Sequence, residues 1–231
     1  MAQTETEPEL DDDGLVIQRY TSKMLVVVPP EGFSDQIMRY VRSSLYNIHV
    51  GTDSVASDPE TMVKGRLQDE FLVDSPLSEA RMEDYAGLVI VGCEGKNPLA
   101  GDSKVLELAR QAAAADKLIT TWGNGLEVLI QAGLVKGKKV TGDLSLREAA
   151  EQAGARFTGR EVQSCGRLVT SRDEGAGMRL GQAVVEAVRI SDAEERWGTP
   201  DRSGDRKLLI GLGVLVALGV ASGLALLTIL G

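Results

Sequence analysis

The sequence predicts an α/β fold: a mainly parallel sheet covered by helices on both faces, followed by one C-terminal transmembrane helix. Three observations carry this. Short β-rich runs alternate with helix-patterned segments between residues 22 and 190. Several of these runs are apolar without alternation, the pattern of strands buried on both faces. No charged residue occurs from Leu208 to Gly231.

The chain opens with a segment rich in carboxylates. Glu5, Glu7, Glu9, Asp11, Asp12 and Asp13 stand against a lone Arg19. Such a stretch buries little apolar surface, so residues 1–21 are expected to be an acidic disordered tail. It has neither the basic start nor the apolar run of a signal peptide. Met24-Leu-Val-Val-Val28 then reads as the first strand, ended by Pro29-Pro30. Asp35 to Leu45 has helical spacing, with Ile37, Val41 and Leu45 on one face. Asn47 to Val50 is expected to be the second strand, and Gly87-Leu-Val-Ile-Val91 a buried one. Asp102 to Ala115 predicts a helix capped by Asp102. Leu118-Ile-Thr-Thr-Trp122 is a further strand, and Leu126 to Ala132 a short helix. Glu161 to Ser164 and Arg167 to Ser171 read as a hairpin around Cys165-Gly166, with Cys165 exposed at its tip. Gly177 to Val188 predicts a closing helix. Residues 191–207 are polar, contain Pro200 and Gly204, and read as a linker.

Composition narrows the function. With 231 residues, 43% of them hydrophobic, the chain holds one domain of ordinary size plus tails. A net charge of -9 argues against a nucleic-acid surface, which needs clustered cations. Two cysteines, Cys93 and Cys165, make no disulfide framework and fit a reduced, intracellular domain. One histidine and two separated cysteines give no metal-ligand cluster, and nothing points to a cofactor.

Residues 208–230 are expected to span a bilayer. At about 1.5 Å per residue the run makes a helix of about 35 Å, against a hydrocarbon core of about 30 Å. The competing reading, a buried core helix, fits poorly with a run this long that lacks every charge. Arg202, Arg206 and Lys207 precede it, only partly offset by Asp201 and Asp205. Positive flanks stay on the cytoplasmic side, so the domain is expected to face the cytoplasm, with a bacterial inner membrane favoured. Gly219 and Gly223 form a G-x-x-x-G, and Gly213, Ala217, Ala221 and Ala225 form a second row of small residues. Small residues four apart let two membrane helices pair closely.

The segment from Lys117 to Phe157 carries a family signature. Ala132-Gly133-Leu134-Val135-Lys136-Gly137, Val140-Thr141 and Gly154-Ala155 follow one another as A-G-L-L-x-G, V-T and G-A do in the ThiJ/PfpI superfamily. Upstream, Asp84-Tyr85-Ala86-Gly87-Leu88-Val89-Ile90 is similar to that family's D-Y-D-A-L-x-x-P-G-G. Downstream, Gly166-Arg167-Leu168-Val169-Thr170-Ser171-Arg172 is similar to its G-x-L-[IV]-T-S-R. The chain thus resembles the superfamily from residue 23 to about 189. The resemblance implies its class I glutamine amidotransferase-like fold, a flavodoxin-like three-layer sandwich.

For chemistry the resemblance implies a loss. The family's nucleophilic cysteine falls on Gly123 and the histidine after it on Asn124. The family's acidic partner falls on Ser34, within Gly32-Phe33-Ser34-Asp35. Glycine has no nucleophile, asparagine cycles no proton near neutral pH, and serine supplies no carboxyl to tune a thiol. Gly123 also relieves the strain a nucleophile elbow places on a residue with a side chain.

Cys93 is the alternative nucleophile. By the resemblance it stands on the second glycine of the P-G-G turn, which lies beside the nucleophile and offers a backbone N–H to an oxyanion. It reads either as a relocated reactive thiol or as a half-buried filler, the latter favoured because no histidine is at hand to activate it. Glu94 reads as a weak base or a solvated carboxylate. His49, placed in the second strand, reads as structural, since that strand does not border the ligand crevice. Gly123-Asn124-Gly125 is a weak anion-binding turn. Ser34, Gly92, Cys93, Glu94, Trp122 and Asn124 are expected to line a small-ligand pocket.

These readings combine into a membrane-anchored, catalytically inactive protein acting as a binding or scaffold subunit of a membrane-associated assembly. By the resemblance it forms a homo-oligomer, and other membrane-complex proteins are candidate partners. The alternatives are a cysteine-dependent hydrolase, amidase or glyoxalase using Cys93, and a small-molecule or redox sensor.

Overall fold

The computed structural model describes residues 20–57, 62–67 and 70–197. Along them run β1 (Ser22–Val27), β2 (Glu31–Phe33), α1 (Asp35–Tyr46), β3 (Val50–Ala56), β4 (Val63–Gly65), β5 (Glu70–Phe71), β6 (Ser75–Pro76) and β7 (Gly87–Ile90). They continue with α2 (Ser103–Ala114), β8 (Leu118–Trp122), α3 (Leu126–Gln131), β9 (Lys139–Val140), α4 (Arg147–Gln152), β10 (Arg156–Phe157), β11 (Val162–Cys165), β12 (Leu168–Ser171) and α5 (Gly177–Trp197). The chain divides into two units, Met1–Ile190 and Ser191–Gly231. The first holds the sheets and the core.

The central sheet has the order β11-β12-β8-β7-β1-β3-β6. Every pairing in it is parallel except β11 with β12. The central strands β1, β7 and β8 are rich in apolar residues because both faces are covered. Leu25, Val27, Leu88 and Ile90 pack into the cluster that includes Leu108 of α2 and Leu129 of α3. Met24, Val26 and Val89 point the other way, into the cluster with Ile37 of α1 and Leu180 of α5. Two small sheets flank this layer, β2-β4-β5 and β10-β9.

Helix starts follow their caps. The Ser34 side chain accepts from the Ile37 N–H and opens α1. Asp102 accepts from the N–H groups of Lys104 and Val105 and opens α2, the cap expected from sequence. A Cβ on Gly177 would meet the Tyr40 ring, and one on Gly181 would meet Ser44. These two glycines therefore let α5 lie close along α1 and parallel to it.

Several sequence expectations need correction. The second strand is Val50–Ala56, not Asn47 to Val50. Asn47 is the C-cap of α1, and His49 takes a left-handed φ of 59° in the turn that follows. The polar sequence Gly51-Thr-Asp-Ser54 hid the strand, because β3 lies near the sheet edge where burial is incomplete. Cys165 is the last residue of β11 and half-buried, rather than an exposed hairpin tip. The closing helix continues past Val188 to Trp197. The sequence reading also missed the short strands β2, β4, β5, β6, β9 and β10. Two or three residues carry no readable periodicity.

Among the described residues no helix is long and apolar enough to cross a membrane. Residues 1–19 of the tail expected over 1–21, the span over 208–230 and the pair Gly219 and Gly223 lie outside the described residues.

Candidate functional site

In a parallel sheet the loops after the strands gather at one end, where ligand crevices form. Here the loop after β7, the turn after β8, the β2–α1 junction and the loop after β12 surround a cavity of about 520 Å³. Ser34, Gly92, Cys93, Glu94, Trp122 and Asn124, the residues expected to form a pocket, all line it, and so does Gly123.

Two glycines set its floor. Gly92 runs so close to β8 that a Cβ there would collide with the Trp122 carbonyl oxygen. Only glycine allows that approach. Gly123 takes a φ of +55°, yet a Cβ there would have no atom within 4 Å. The turn is left-handed, and a side chain at 123 would meet open space. The Gly123 carbonyl accepts the N–H of Asp143 at 3.1 Å, which brings Asp143 to the rim.

Asn124 is the best-connected polar side chain of the site. Its Oδ1 accepts from the backbone N–H of Cys93 at 2.9 Å and from Asn97 Nδ2 at 3.3 Å. Its Nδ2 donates to the Gly95 carbonyl at 2.9 Å and approaches Cys93 Sγ at 4.0 Å. Asn97, only 1% exposed, also donates to the Val91 carbonyl and accepts from the Leu99 N–H. The Asn97–Asn124 pair thus sews the loop after β7 to the turn after β8. Asn97 went unread in the sequence; an asparagine before a proline, here Asn97-Pro98, is an available turn signal.

Cys93 is half-buried and forms an isolated bridge with Phe33 of β2. Burial pushes its thiol up from the ordinary value; the Asn124 amide partly opposes this, and Glu127, Glu31 and Glu94 add to the rise. A rise leaves less thiolate at neutral pH, the reverse of an activated nucleophile. Ser34 is buried, and its Oγ accepts from the Ile37 N–H at 3.4 Å. Trp122 is buried against the α1–α5 side, and its Nε1 has no partner there.

Charge at the rim is paired rather than one-sided. Glu94 accepts from Arg66 Nε at 2.7 Å, so its carboxylate is paired at the rim. Arg172 Nε meets Asp173 Oδ2 at 2.5 Å, and Arg172 Nη1 reaches the Gly159 carbonyl at 3.5 Å. Two arginines and three carboxylates therefore ring the cavity, with no net positive field for a simple anion. His49 and Cys165 are not among its lining residues. Both lie where the parallel strands begin, at the far end from the cavity.

Residues 22–187 match the model of the DJ-1/PfpI family. An uncharacterized protein of Methanocaldococcus jannaschii is 28% identical over 171 residues, covering 72% of this chain and 82% of its own length. Deglycase PfpI of Pyrococcus furiosus is 29% identical over 121 residues, covering 52% of this chain and 73% of its own. Among solved structures, a ThiJ/PfpI domain protein from Brachyspira murdochii superposes with a TM-score of 0.70 at 19% identity, covering 74% of this chain and 98% of its own. Drosophila melanogaster DJ-1beta gives 0.66 at 19% identity, over 75% of this chain and 96% of its own.

Proposed function

Because the chain belongs to the DJ-1/PfpI family, we propose that it is a member whose nucleophile position is Gly123 and whose cavity binds rather than transforms. The observation that carries this is the Asn124 clamp. The Cys93 N–H, the donor that a developing oxyanion would need in that turn, is already satisfied by Asn124 Oδ1 at 2.9 Å. Gly123 provides no attacking atom, and Asn124 offers an amide where a proton-transferring base is needed. Ser34 serves as a helix cap. What remains is a polar cavity with fixed hydrogen-bonding groups, suited to holding a small ligand.

The charge-free run after Leu208 supports tethering this binding domain to a membrane, as one subunit of an assembly that includes a second copy. Purification in mild detergent tests that part. The expected product is an oligomer or a complex; a monomer without any co-purifying protein counts against it.

A second reading keeps an enzyme built on Cys93. It is favoured by the thiol's place on the cavity wall and by a relative that carries the name deglycase. Turnover of 2-oxoaldehydes and glycated amines separates the two. The wild-type chain and Cys93→Ser are both expected to be inactive. Wild-type turnover that Cys93→Ser abolishes would establish the enzyme instead. Gly123→Cys combined with Asn124→His tests how much of the site survives, since the space at 123 is open.

A further inference from the structure

We propose that the end of the sheet opposite the cavity, around Lys136, Lys138, Lys139 and Arg156, docks against an anionic lipid bilayer. This rests on the anchor proposed above for placing lipid nearby, and on the domain's own geometry for the surface.

The location follows from the connections. Helix α2 returns from the end of β7 to the start of β8, so Arg110 in its last turns lies at the starting end of the strands. Arg110 Nε donates to the Ala132 carbonyl at 3.3 Å, which places the end of α3 there too. The chain then turns through Lys136 and Lys138 into β9, whose Lys139 is in register with Arg156 of β10. The Gly137 N–H donates to the Gly154 carbonyl at 2.8 Å, bringing Lys136 beside the Arg156 strand. Four cations thus share one small surface.

That surface runs against the charge of the whole chain. Residues 132–160 hold six basic side chains and three acidic ones, while the full chain is at -9. Lys136, Lys139 and Arg156 are exposed and Lys138 is half-buried. Among the described residues none of the four is held in an ion pair. The carboxylates of this segment, Asp143, Glu148 and Glu151, are half as many as its basic side chains. Such an unpaired basic cluster is the form of a headgroup-contacting surface, and it is too small for a nucleic-acid groove.

α5 lies parallel to α1, and α1 runs from the cavity end of β1 to the start of β3. The first unit therefore ends, at Ile190, on the same end of the sheet as the basic cluster. Docking there would leave the cavity facing away from lipid and open to solution.

The test uses the full-length chain with vesicles of phosphatidylcholine alone and of an equal mixture with phosphatidylglycerol. Acetylation rates of Lys136, Lys138 and Lys139 are read by mass spectrometry, with Lys96 at the cavity end as the internal control. On mixed vesicles at about 0.1 M salt the three lysines are expected to react at least tenfold more slowly, and Lys96 at its free rate. At about 1 M salt, where screening shrinks to about 3 Å, the protection should vanish. Equal rates on both vesicles would overturn the proposal. Each basic group near an anionic surface is worth a factor of about five, so Lys136→Gln with Lys138→Gln and Lys139→Gln removes about a hundredfold of binding. If the chain does not sediment with neutral vesicles, the anchor reading fails. The surface is then judged by co-sedimentation with mixed vesicles, and an undiminished triple variant overturns it. Protection without any vesicles, lost when residues 1–19 are deleted, would assign the cluster to the acidic N-terminal segment and refute lipid docking.

Discussion

The backbone N–H of Cys93 donates to Oδ1 of Asn124 at 2.9 Å, so one side chain joins the loops that follow two neighbouring strands. The same amide also holds Gly95 and Asn97. A residue standing where the resemblance puts a catalytic histidine is thereby committed to the architecture of the site.

Asn124→Ala should expose the cost of that commitment. It leaves the Cys93 N–H and the Gly95 carbonyl, both in a part-buried place, without their partner. A loss of about 2 kcal/mol is expected in urea unfolding, with an unchanged denaturant slope. A change within about 0.5 kcal/mol, the range of ordinary surface substitutions, would mean that water replaces the amide freely.

The two site glycines should differ in what they tolerate. Gly123→Ala meets no atom and is burdened only by the left-handed backbone, a cost of about 1–2 kcal/mol. Gly92→Ala drives a Cβ into the Trp122 carbonyl and must move β7 or β8, so it should cost more. Urea midpoints rank the pair, and the reverse order would show that the close approach at Gly92 is not needed.

Cys93 should alkylate slowly. Because burial raises its thiol, its iodoacetamide rate at neutral pH should fall below that of a free peptide thiol and keep climbing beyond the ordinary thiol range. The raised value stabilises the fold fully below the unfolded-state thiol pKa. That contribution is lost as pH rises through the folded value. A rate at neutral pH above that of a free thiol would contradict the assignment.

Lys117 Nζ donates to the carbonyls of Met82 at 2.5 Å, Tyr85 at 2.6 Å and Glu83 at 3.3 Å, closing the turn before β7. Lys117→Met keeps the length of the side chain and removes the donors. It should destabilise the domain by about 2–3 kcal/mol, read as a lower melting temperature. An unchanged melting temperature would show that the turn holds itself.

Tyr85 should be a late-titrating tyrosine. Burial first, and then Asp53, push its hydroxyl up to about 12, with Asp53 Oδ2 accepting at 3.3 Å. Its contribution to stability is complete below about 10, the usual tyrosine value, and disappears as pH rises through about 12. Ultraviolet titration of Asp53→Asn should find this tyrosine ionising earlier. No change would leave burial, with smaller contributions from Asp84 and Asp74, as the cause.

Much of the fold was legible because burial writes itself into composition. Met24 to Val27, Gly87 to Ile90 and Leu118 to Trp122 are strands covered on both faces, and their runs of apolar residues say so directly. The caps Ser34 and Asp102 were visible as types, though only Asp102 was read as one. Strand β3, one in from the sheet edge, was misplaced because partial exposure admits Gly, Thr, Asp and Ser. The site was legible as a set of lining residues, through its likeness to a family. Its hydrogen bonds were not, because Asn97 and Asn124 meet only when β7 and β8 lie side by side.

The sequence by itself determined the layered α/β class and the strands with two buried faces, because those depend on local hydrophobicity and period. Tertiary structure alone decided which residues meet around the cavity. Whether Asn124 reaches Cys93 and Asn97, whether Glu94 pairs with Arg66, and whether four basic residues share one surface are questions of distance. Hydrogen bonds and charge interactions fall off within a few ångströms, and residues about thirty positions apart reach that range only through the packing of the sheet.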